Sequence, residues 1–413
     1  MVTTAGSLRS ERDFMRWITA EGVSLVGSAV TTVVLPLVVY EATGSAAQTG
    51  LLFAMRVVPY LFFGLIAGPL ADRGNRRRLI IGGNLVQGVL VATVPIAHVL
   101  DVLTVAQVYV VALLSATAFV FADAAVFGAV PALVGPERLP AANGLLASIA
   151  SGADIIGPVI AGLLVAGVGP TTVVWVDAAS FFIAAIVQWT IRSNFRDPSA
   201  APPERSTIRS TAGAALRFIR REHTMAVLIL SGFGNSVAFG IVLGLLVPYA
   251  VDELGIPIDD SRIGVLYGAI GVGSLIAGLV FARLFDRRRI RVLTPASLAI
   301  SGGLAIALAL TAGWVVAMIC LAAFACSMAT TIQVGITYRQ LASPDELRSS
   351  VNVMGRMVSW GGQPFGAALG ALIVSLTTIP TAYAVAGAIM LTAASGAAVA
   401  LNRTRSPLVN GGP

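Results

Sequence analysis

The sequence is poor in charged residues and contains no lysine. Only 11% of its 413 residues are charged, whereas a soluble domain has about 25%, and 56% are hydrophobic with a mean hydropathy of +0.87. Too few polar residues are present to cover a hydrophobic core, so a soluble enzyme fold is excluded and lipid must solvate most of the chain. All 27 basic residues are arginines, which is typical of a GC-rich bacterial coding sequence.

Cysteine and histidine are also scarce. Cys320 and Cys326 lie in one apolar segment, too few for a disulfide framework and without zinc-ligand spacing. The sequence has no G-x-x-x-x-G-K-[ST] phosphate-binding motif and no Ser-His-Asp or metal-ligand pattern. We therefore expect neither an enzyme nor an ATP-driven pump, and no cofactor or metal. The net charge of +7 is scattered between apolar segments, which favours a membrane protein over a nucleic-acid-binding one.

Long apolar segments, by contrast, are abundant. Twelve of them approach or exceed the roughly 20 residues that a helix needs to cross a bilayer. They are spans 1 to 12, at about 16–40, 49–71, 79–100, 103–130, 141–168, 171–191, 224–250, 262–284, 291–312, 314–338, 348–376 and 380–402. With a cytoplasmic N-terminus, 24 of the 27 arginines fall on the cytoplasmic side. The positive-inside rule then predicts a multi-pass protein of the bacterial inner membrane with both termini in the cytoplasm.

The chain divides into two similar halves. The longest polar segment, 192–223, separates six spans from six, and three short sequences recur at an offset close to 210 residues. They are LPLVVYEATG with VPYAVDELG, GPLADRGNRRRLI with GLVFARLFDRRRI, and GPERLPAANG with SPDELRSSVN. The pattern predicts an all-α membrane protein with 12 transmembrane helices in two six-helix pseudo-repeat halves, an architecture typical of transporters.

The predicted domain organisation follows from these divisions. It comprises a tail at 1–14, a half at 15–191, a cytoplasmic linker at 192–223, a second half at 224–402 and a tail at 403–413. Within the linker, 208–221 predicts a short basic amphipathic helix. This helix either rests on an anionic inner leaflet or acts as a solvated tether.

The loop between spans 2 and 3 combines one acid with a cluster of bases. Its residues are Gly68, Asp72, Arg73, Arg76, Arg77 and Arg78. With twelve spans and an internal repeat, this pattern resembles the major facilitator superfamily, whose loop 2–3 signature is a glycine, Asp-Arg and a basic cluster. The resemblance covers the whole chain and implies a secondary transporter.

Span 5 contains the sequence DIIGPVIAG. It is similar to the Gly-Pro signature of the superfamily's drug-exporting branches, with matches at Gly157, Pro158 and Gly162. The segments ADRGNRRRL, GPVIAGLLVAGVGP and VDAASFF look most like the branch that contains macrolide and siderophore exporters. The resemblance implies that the three span 5 residues contribute to an outer gate.

The resemblance also gives Asp72 a role. Asp72, at the cytoplasmic end of span 2, would bind the start of span 11 near Ser343, where a helix N-terminus supplies free N–H groups and a partial positive charge. The contact would latch the halves when the cytoplasmic mouth is closed, with Arg73, Arg76 and Arg77 beside it. Ala282 stands in the second copy where Asp72 would align, so the latch is one-sided.

Six ionisable residues lie deep inside predicted spans, away from the span ends, where each costs roughly 2.5–3.5 kcal/mol on insertion scales. They are Glu21, Arg56, Asp123, Asp154, Asp177 and Arg356. From the rise of an α-helix, Glu21 and Asp123 share the inner third of the membrane. Repulsion between two carboxylates at one depth favours a proton on one of them, so we expect a proton carrier here. The alternative is that both are solvated at the inner interface.

The other four ionisable residues predict two further features. Arg56, Asp154 and Asp177 reach similar depths in the N-terminal half and are expected to form an internal ion pair. Arg356 lies about halfway along span 11 without an acid at its depth in the same half. Because a lone buried cation is costly, we expect Arg356 to face a cavity and meet an anionic substrate or a carboxylate of the other half.

Two features found in related proton-coupled exporters are missing. Span 4 has no arginine, and Gly27-Ser28 occupies the middle of span 1 where some exporters have an acid. Glu21 with Asp123 is the best substitute in this sequence.

The sequence therefore predicts an exporter of small lipophilic molecules of drug or macrolide type, acting by alternating access and proton antiport. We expect a monomer whose partners are a small-molecule substrate, protons and membrane lipid, with no nucleic acid. One alternative is export of a siderophore or another self-made metabolite, because Arg356 suits an anionic cargo. An alternative from another class is a non-transporting membrane sensor or scaffold.

Overall fold

The computed structural model describes residues 11–191, 195, 208–284 and 289–403. These residues form helices and short connections, and no β-strand occurs among them. Apart from three short helical segments, at Pro136–Arg138, Leu246–Pro248 and Tyr249–Glu253, the helices are α1 (Arg12–Thr43), α2 (Ala46–Arg73), α3 (Arg76–Val99), α4 (Val105–Val134), α5 (Leu139–Val168), α6 (Pro170–Thr190), α7 (Ile208–Arg221), α8 (His223–Gly244), α9 (Arg262–Leu284), α10 (Ile290–Leu310), α11 (Trp314–Ala342), α12 (Asp345–Leu376) and α13 (Ile379–Arg403).

Within the described ranges, twelve helices are long and apolar enough to cross a membrane. They are α1 to α6, which coincide with predicted spans 1 to 6, and α8 to α13, which coincide with spans 7 to 12. The predicted all-α fold with twelve transmembrane helices is confirmed. One helix end differs from its predicted position: α11 continues to Ala342 and so includes Arg339, which lies just beyond the predicted end of span 10 at residue 338.

Short polar residues fix where several helices begin and end. The Asn75 side chain accepts a hydrogen bond from the Arg78 backbone N–H at the start of α3, and Thr104 accepts one from Gln107 at the start of α4. These bonds satisfy N–H groups that have no partner inside the helix. Gly44 ends α1 with a φ of 56°, a left-handed conformation that glycine adopts without steric cost.

The same helix pairs pack in both halves of the sequence. In the first half, α1 packs against α5 and α6, and α3 packs against α4 and α6. In the second half, α8 packs against α12 and α13, and α10 packs against α11 and α13. Since α8 to α13 correspond in order to α1 to α6, each pairing recurs at its equivalent position. Recurrent packing is what a duplicated six-helix unit produces.

Two compact units are present. The first contains the described residues within 1–44, 55–202 and 257–268, and the second contains those within 45–54, 203–256 and 269–413. Each unit therefore includes one segment from the other sequence repeat. The start of α9 belongs to the first unit, and the start of α2 belongs to the second.

Helix α7 matches the amphipathic helix predicted at 208–221. Its apolar residues Ala215 and Ile219 are buried in a cluster with Met225, Ile290 and Tyr338. Protein rather than lipid thus covers this side of the helix, while the basic side remains exposed at Arg217, Arg220 and Arg221.

In the second unit, α8 and α12 approach until their backbones touch. A Cβ atom on Gly366 would overlap the carbonyl oxygen of Val237, and one on Gly240 would overlap that of Gln363. A Cβ on Gly362 would lie 2.5 Å from the carbonyl oxygen of Phe233. Small residues permit this close approach, which drives helix association in lipid through van der Waals contact.

Candidate functional site

The first unit brings Glu21 of α1 and Asp123 of α4 together. The Tyr60 hydroxyl of α2 donates a hydrogen bond of 2.5 Å to Asp123 Oδ2. Glu21 lies close enough to Asp123 for the two carboxylates to repel each other. All three side chains are half-buried. A pair of carboxylates with one member bound by a hydroxyl can hold and release a proton.

Tyr60 was not among the predicted site residues. A tyrosine inside an apolar span usually packs against neighbouring helices, so no sequence pattern marks Tyr60 as a site residue. Its ring also lies 6.4 Å from that of Phe119, one turn before Asp123 on α4. The ring contact and the hydrogen bond together attach α2 to α4 at the depth of Glu21.

Arg56 and Asp177 attract each other within the first unit, whereas Asp154 lies apart on an exposed face of α5. Arg56 Nη2 donates a 3.0 Å hydrogen bond to Thr32 Oγ1. Asp177 is only 2% exposed, and the Ser180 hydroxyl lies 3.3 Å from its Oδ1. Of the three residues predicted to form an ion pair, Arg56 and Asp177 therefore attract each other in this structure, and Asp154 is separate from them.

Gly27 of α1 provides the space that Asp177 occupies. A Cβ atom on Gly27 would lie 2.8 Å from Asp177 Oδ1 and would overlap the Ser180 hydroxyl. The middle of span 1 therefore has no acid of its own, but a carboxylate from α6 fills the adjoining space. The absence noted in the sequence has a packing reason.

The loop 2–3 residues lie at the end of α2 and the start of α3. Gly68, Asp72 and Arg73 fall in the last turns of α2. The side chains of Asp72 and Arg73 lie outside the described residues, so the predicted latch stays a prediction. Arg77 Nη2 donates a 2.5 Å hydrogen bond to the Trp189 carbonyl oxygen near the end of α6. This bond joins the start of α3 to the end of α6.

Gly157, Pro158 and Gly162 place α5 between two close neighbours in the first unit. A Cβ on Gly157 would lie 2.5 Å from Ala29 Cβ of α1. A Cβ on Gly162 would lie 2.6 Å from the Ser261 carbonyl oxygen and 3.1 Å from Gly264 Cα at the start of α9. The Gly-Pro signature is therefore the contact surface of α5 for both α1 and α9.

The start of α9 is fixed by its own polar pair. Asp260 Oδ1 accepts a 2.8 Å hydrogen bond from the Arg262 backbone N–H, and Oδ2 accepts two from the Arg262 guanidinium at 2.8 and 2.6 Å. The guanidinium bonds lower the pKa of the Asp260 carboxyl, although partial burial acts in the opposite direction. The carboxylate therefore remains ionised at neutral pH and caps α9 where it meets α5.

The second unit contains a pair of arginines. Arg356 of α12 lies over the Trp360 ring, 5.2 Å from its centroid. Arg339 of α11 is 4% exposed, and its Nε lies 3.4 Å from Asn352 Oδ1. Arg356 is close enough to repel Arg339. Arg339 was missed because the sequence placed it beyond the end of its span. In the part of the chain that the structure describes, no cluster of His, Cys, Asp or Glu is arranged to hold a metal ion.

Comparison with known proteins gives consistent matches along the chain. The family profile described as Major Facilitator Superfamily matches residues 18–361. The enterobactin exporter EntS of Shigella boydii serotype 18 is 26% identical over 380 residues, which are 91% of this chain and 89% of that protein. The enterobactin exporter EntS of Escherichia coli O81 matches to the same extent.

Solved structures show the same fold. The nucleoside transporter NupG has a TM-score of 0.76 at 12% identity, covering 95% of this chain and 100% of NupG. A bacterial homologue of the human lysosomal transporter Spinster, in an inward-facing and occupied conformation, has a TM-score of 0.74 at 15% identity, covering 95% and 96% of the two chains. At such low identity the similarity concerns the fold and not the substrate.

Proposed function

This chain belongs to the major facilitator superfamily and is a multi-pass membrane transporter, and from that membership we propose that it exports a siderophore or similar self-made metabolite in exchange for protons. The cargo leaves the bacterial cytoplasm across the inner membrane, and both termini lie in the cytoplasm. The halves 15–191 and 224–402 of a monomer alternate in exposing the cargo site. The proposed coupling of export to protons rests on the cluster of Glu21, Asp123 and Tyr60.

Similarity over most of the length of the chain supports the choice of cargo. The relatives that match 91% of the chain are named enterobactin exporters, which places the metabolite hypothesis ahead of the drug or macrolide hypothesis. The two arginines of α11 and α12 also suit an anionic cargo better than a neutral lipophilic one. Lipophilic drug export remains the second candidate, and the same assay tests it.

The carboxylate cluster suggests how protons drive the cycle. The hydrogen bond from Tyr60 stabilises Asp123 as a carboxylate, so Glu21 is the member that gains and loses a proton. A proton on Glu21 removes the repulsion between α1 and α4, and its loss restores that repulsion. A ligand or proton can shift a conformational equilibrium only by binding one state better, and this charge change supplies such a difference.

Transport into everted membrane vesicles tests the proposal. Vesicles with an acidic interior, which contain the protein, should accumulate labelled enterobactin, and an uncoupler should abolish the accumulation. Accumulation of a labelled macrolide instead would favour the drug hypothesis. Accumulation that ignores the proton gradient would exclude coupling, and accumulation of neither compound would favour a sensor or scaffold.

The contact between α5 and α9 is proposed to act as the outer gate. Replacing Gly162 by Ala should reduce gradient-driven transport several-fold, because the added methyl meets backbone atoms of Ser261 and Gly264 that cannot move aside as a flexible side chain would. Initial transport rates in vesicles with matched protein content measure the effect. Gly167→Ala on the same helix is the control, since a Cβ there meets nothing within 4 Å. Equal rates for the two variants would contradict the gate.

A further inference from the structure

Arg339 is held in the second unit by the shape of its surroundings. A Cβ on Gly355 would lie 2.6 Å from Arg339 Cδ and 2.9 Å from Nε, so the arginine stem occupies the space that glycine leaves on α12. Gly335, one turn earlier on α11, comes within 3.5 Å of Nη1 by the same measure. Packing therefore holds this guanidinium near Arg356, although the two cations repel each other.

One face of α12 carries three residues with complementary chemistry. Asn352, Arg356 and Trp360 follow one another at intervals of four residues, which places them on one side of the helix. Arg339 reaches this face from α11 through its contact with Asn352. An amide, two guanidinium groups and an indole ring are therefore grouped within about two turns of α12.

This grouping places two positive charges close together, one on buried Arg339 and one on half-buried Arg356. Two cations in a low-dielectric environment repel each other, and a bound anion would relieve that repulsion for both. A guanidinium over an indole can still donate hydrogen bonds in its own plane, the geometry that a carboxylate or a pair of phenolic oxygens accepts. The Trp360 ring adds a flat surface against which an aromatic ring can pack.

We propose that Arg356 and Trp360 bind an anionic aromatic group of the transported molecule, and that Arg339 is a positioning residue that adds a second positive charge behind Arg356. This inference rests on the proposed export of a metabolite, because it names the chemical class recognised within that cargo. Arg356 contacts the anion directly, whereas buried Arg339 acts through the field it creates and through Asn352.

Equilibrium binding of labelled salicylate to the purified full-length protein tests the inference. Salicylate is an aromatic anion, and salicyl alcohol is its neutral counterpart. We expect salicylate to bind and salicyl alcohol to compete poorly. Arg356→Gln should weaken salicylate binding at least tenfold and Arg339→Gln several-fold, while Arg339→Lys, which keeps the charge, should restore most of the affinity. Arg220→Gln, which removes one exposed arginine of the same unit, should have no effect.

Thermal melting separates loss of binding from loss of folding. A variant that melts like the wild type but has lost salicylate affinity supports the site. If Arg339→Gln fails to fold, Arg339→Lys takes its place, and salicylate binding by folded Arg339→Lys supports the site. Unchanged affinity in folded Arg356→Gln would overturn the inference, and so would equal binding of salicyl alcohol. Binding without transport of enterobactin would contradict the proposed function and leave the anion site standing. Transport of enterobactin together with salicylate binding that does not depend on Arg356 would support the proposed function and contradict the anion site.

Discussion

Replacing Glu21 by Gln should reduce proton-driven net export at least tenfold, to the level of vesicles without the protein. The amide cannot carry a proton, and it leaves Asp123 bound to Tyr60 without its repelling neighbour. Exchange of cargo for cargo needs no net proton movement and should continue. Everted vesicles measure both, as gradient-driven accumulation and as release of preloaded label by unlabelled cargo.

The matched control for this substitution lies on the same helix. Glu41→Gln also removes a carboxylate from α1, but Glu41 is exposed at the far end of the helix from Glu21, and this variant should transport like the wild type. Tyr60→Phe should fall between the two, because it removes the hydrogen bond to Asp123 and keeps both carboxylates. Normal net accumulation by Glu21→Gln would show that protons bind elsewhere.

Replacing Gly366 by Ala should prevent stable folding of the second unit. The new methyl would overlap the Val237 carbonyl oxygen, an atom of the α8 backbone that can move only if the helices separate. Overpacking of well-packed interiors costs about 1–3 kcal/mol even where side chains can adjust, and backbone contact allows less adjustment. We expect little folded protein after extraction, or a melting temperature lowered by about 10 °C.

Gly303→Ala on α10 is the control for this prediction. A Cβ there meets nothing within 4 Å, and alanine favours helix by about 1 kcal/mol over glycine, so this variant should fold at least as well as the wild type. Size-exclusion profiles and thermal melts in the same detergent provide the comparison. Gly366→Ala melting like Gly303→Ala would mean that α8 and α12 do not approach as closely as described.

The number and order of the helices could be predicted because apolar length alone identifies a membrane span. The duplication was also visible, since similar segments recur at one offset. Which ionisable side chains meet inside the membrane was harder to predict, because this depends on how each helix is rotated about its axis. Asp154 and Asp177 have similar predicted depths, but Asp177 faces α1 and is buried, whereas Asp154 is exposed.

Two site residues could not have been found from the sequence. Arg339 looks like a cytoplasmic residue because it follows a long apolar segment, and only its contact with Gly355 reveals a buried position. Tyr60 acquires its importance from Asp123, which is 63 residues away along the chain. Both depend on contacts between helices that no local pattern encodes.

The space beside Gly27 adjoins two helices, so a side chain on α1 and the Asp177 carboxylate of α6 would compete for it. Here α6 provides the carboxylate, and position 27 of α1 must be a glycine to accommodate Asp177 and Ser180. Across homologous sequences the two positions should therefore covary: an acid at position 27 should exclude an acid at position 177, and a glycine at 27 should accompany one. Evolution could then have transferred the carboxylate from one helix to the other, through sequences that have an acid at neither position, without changing its location in the protein.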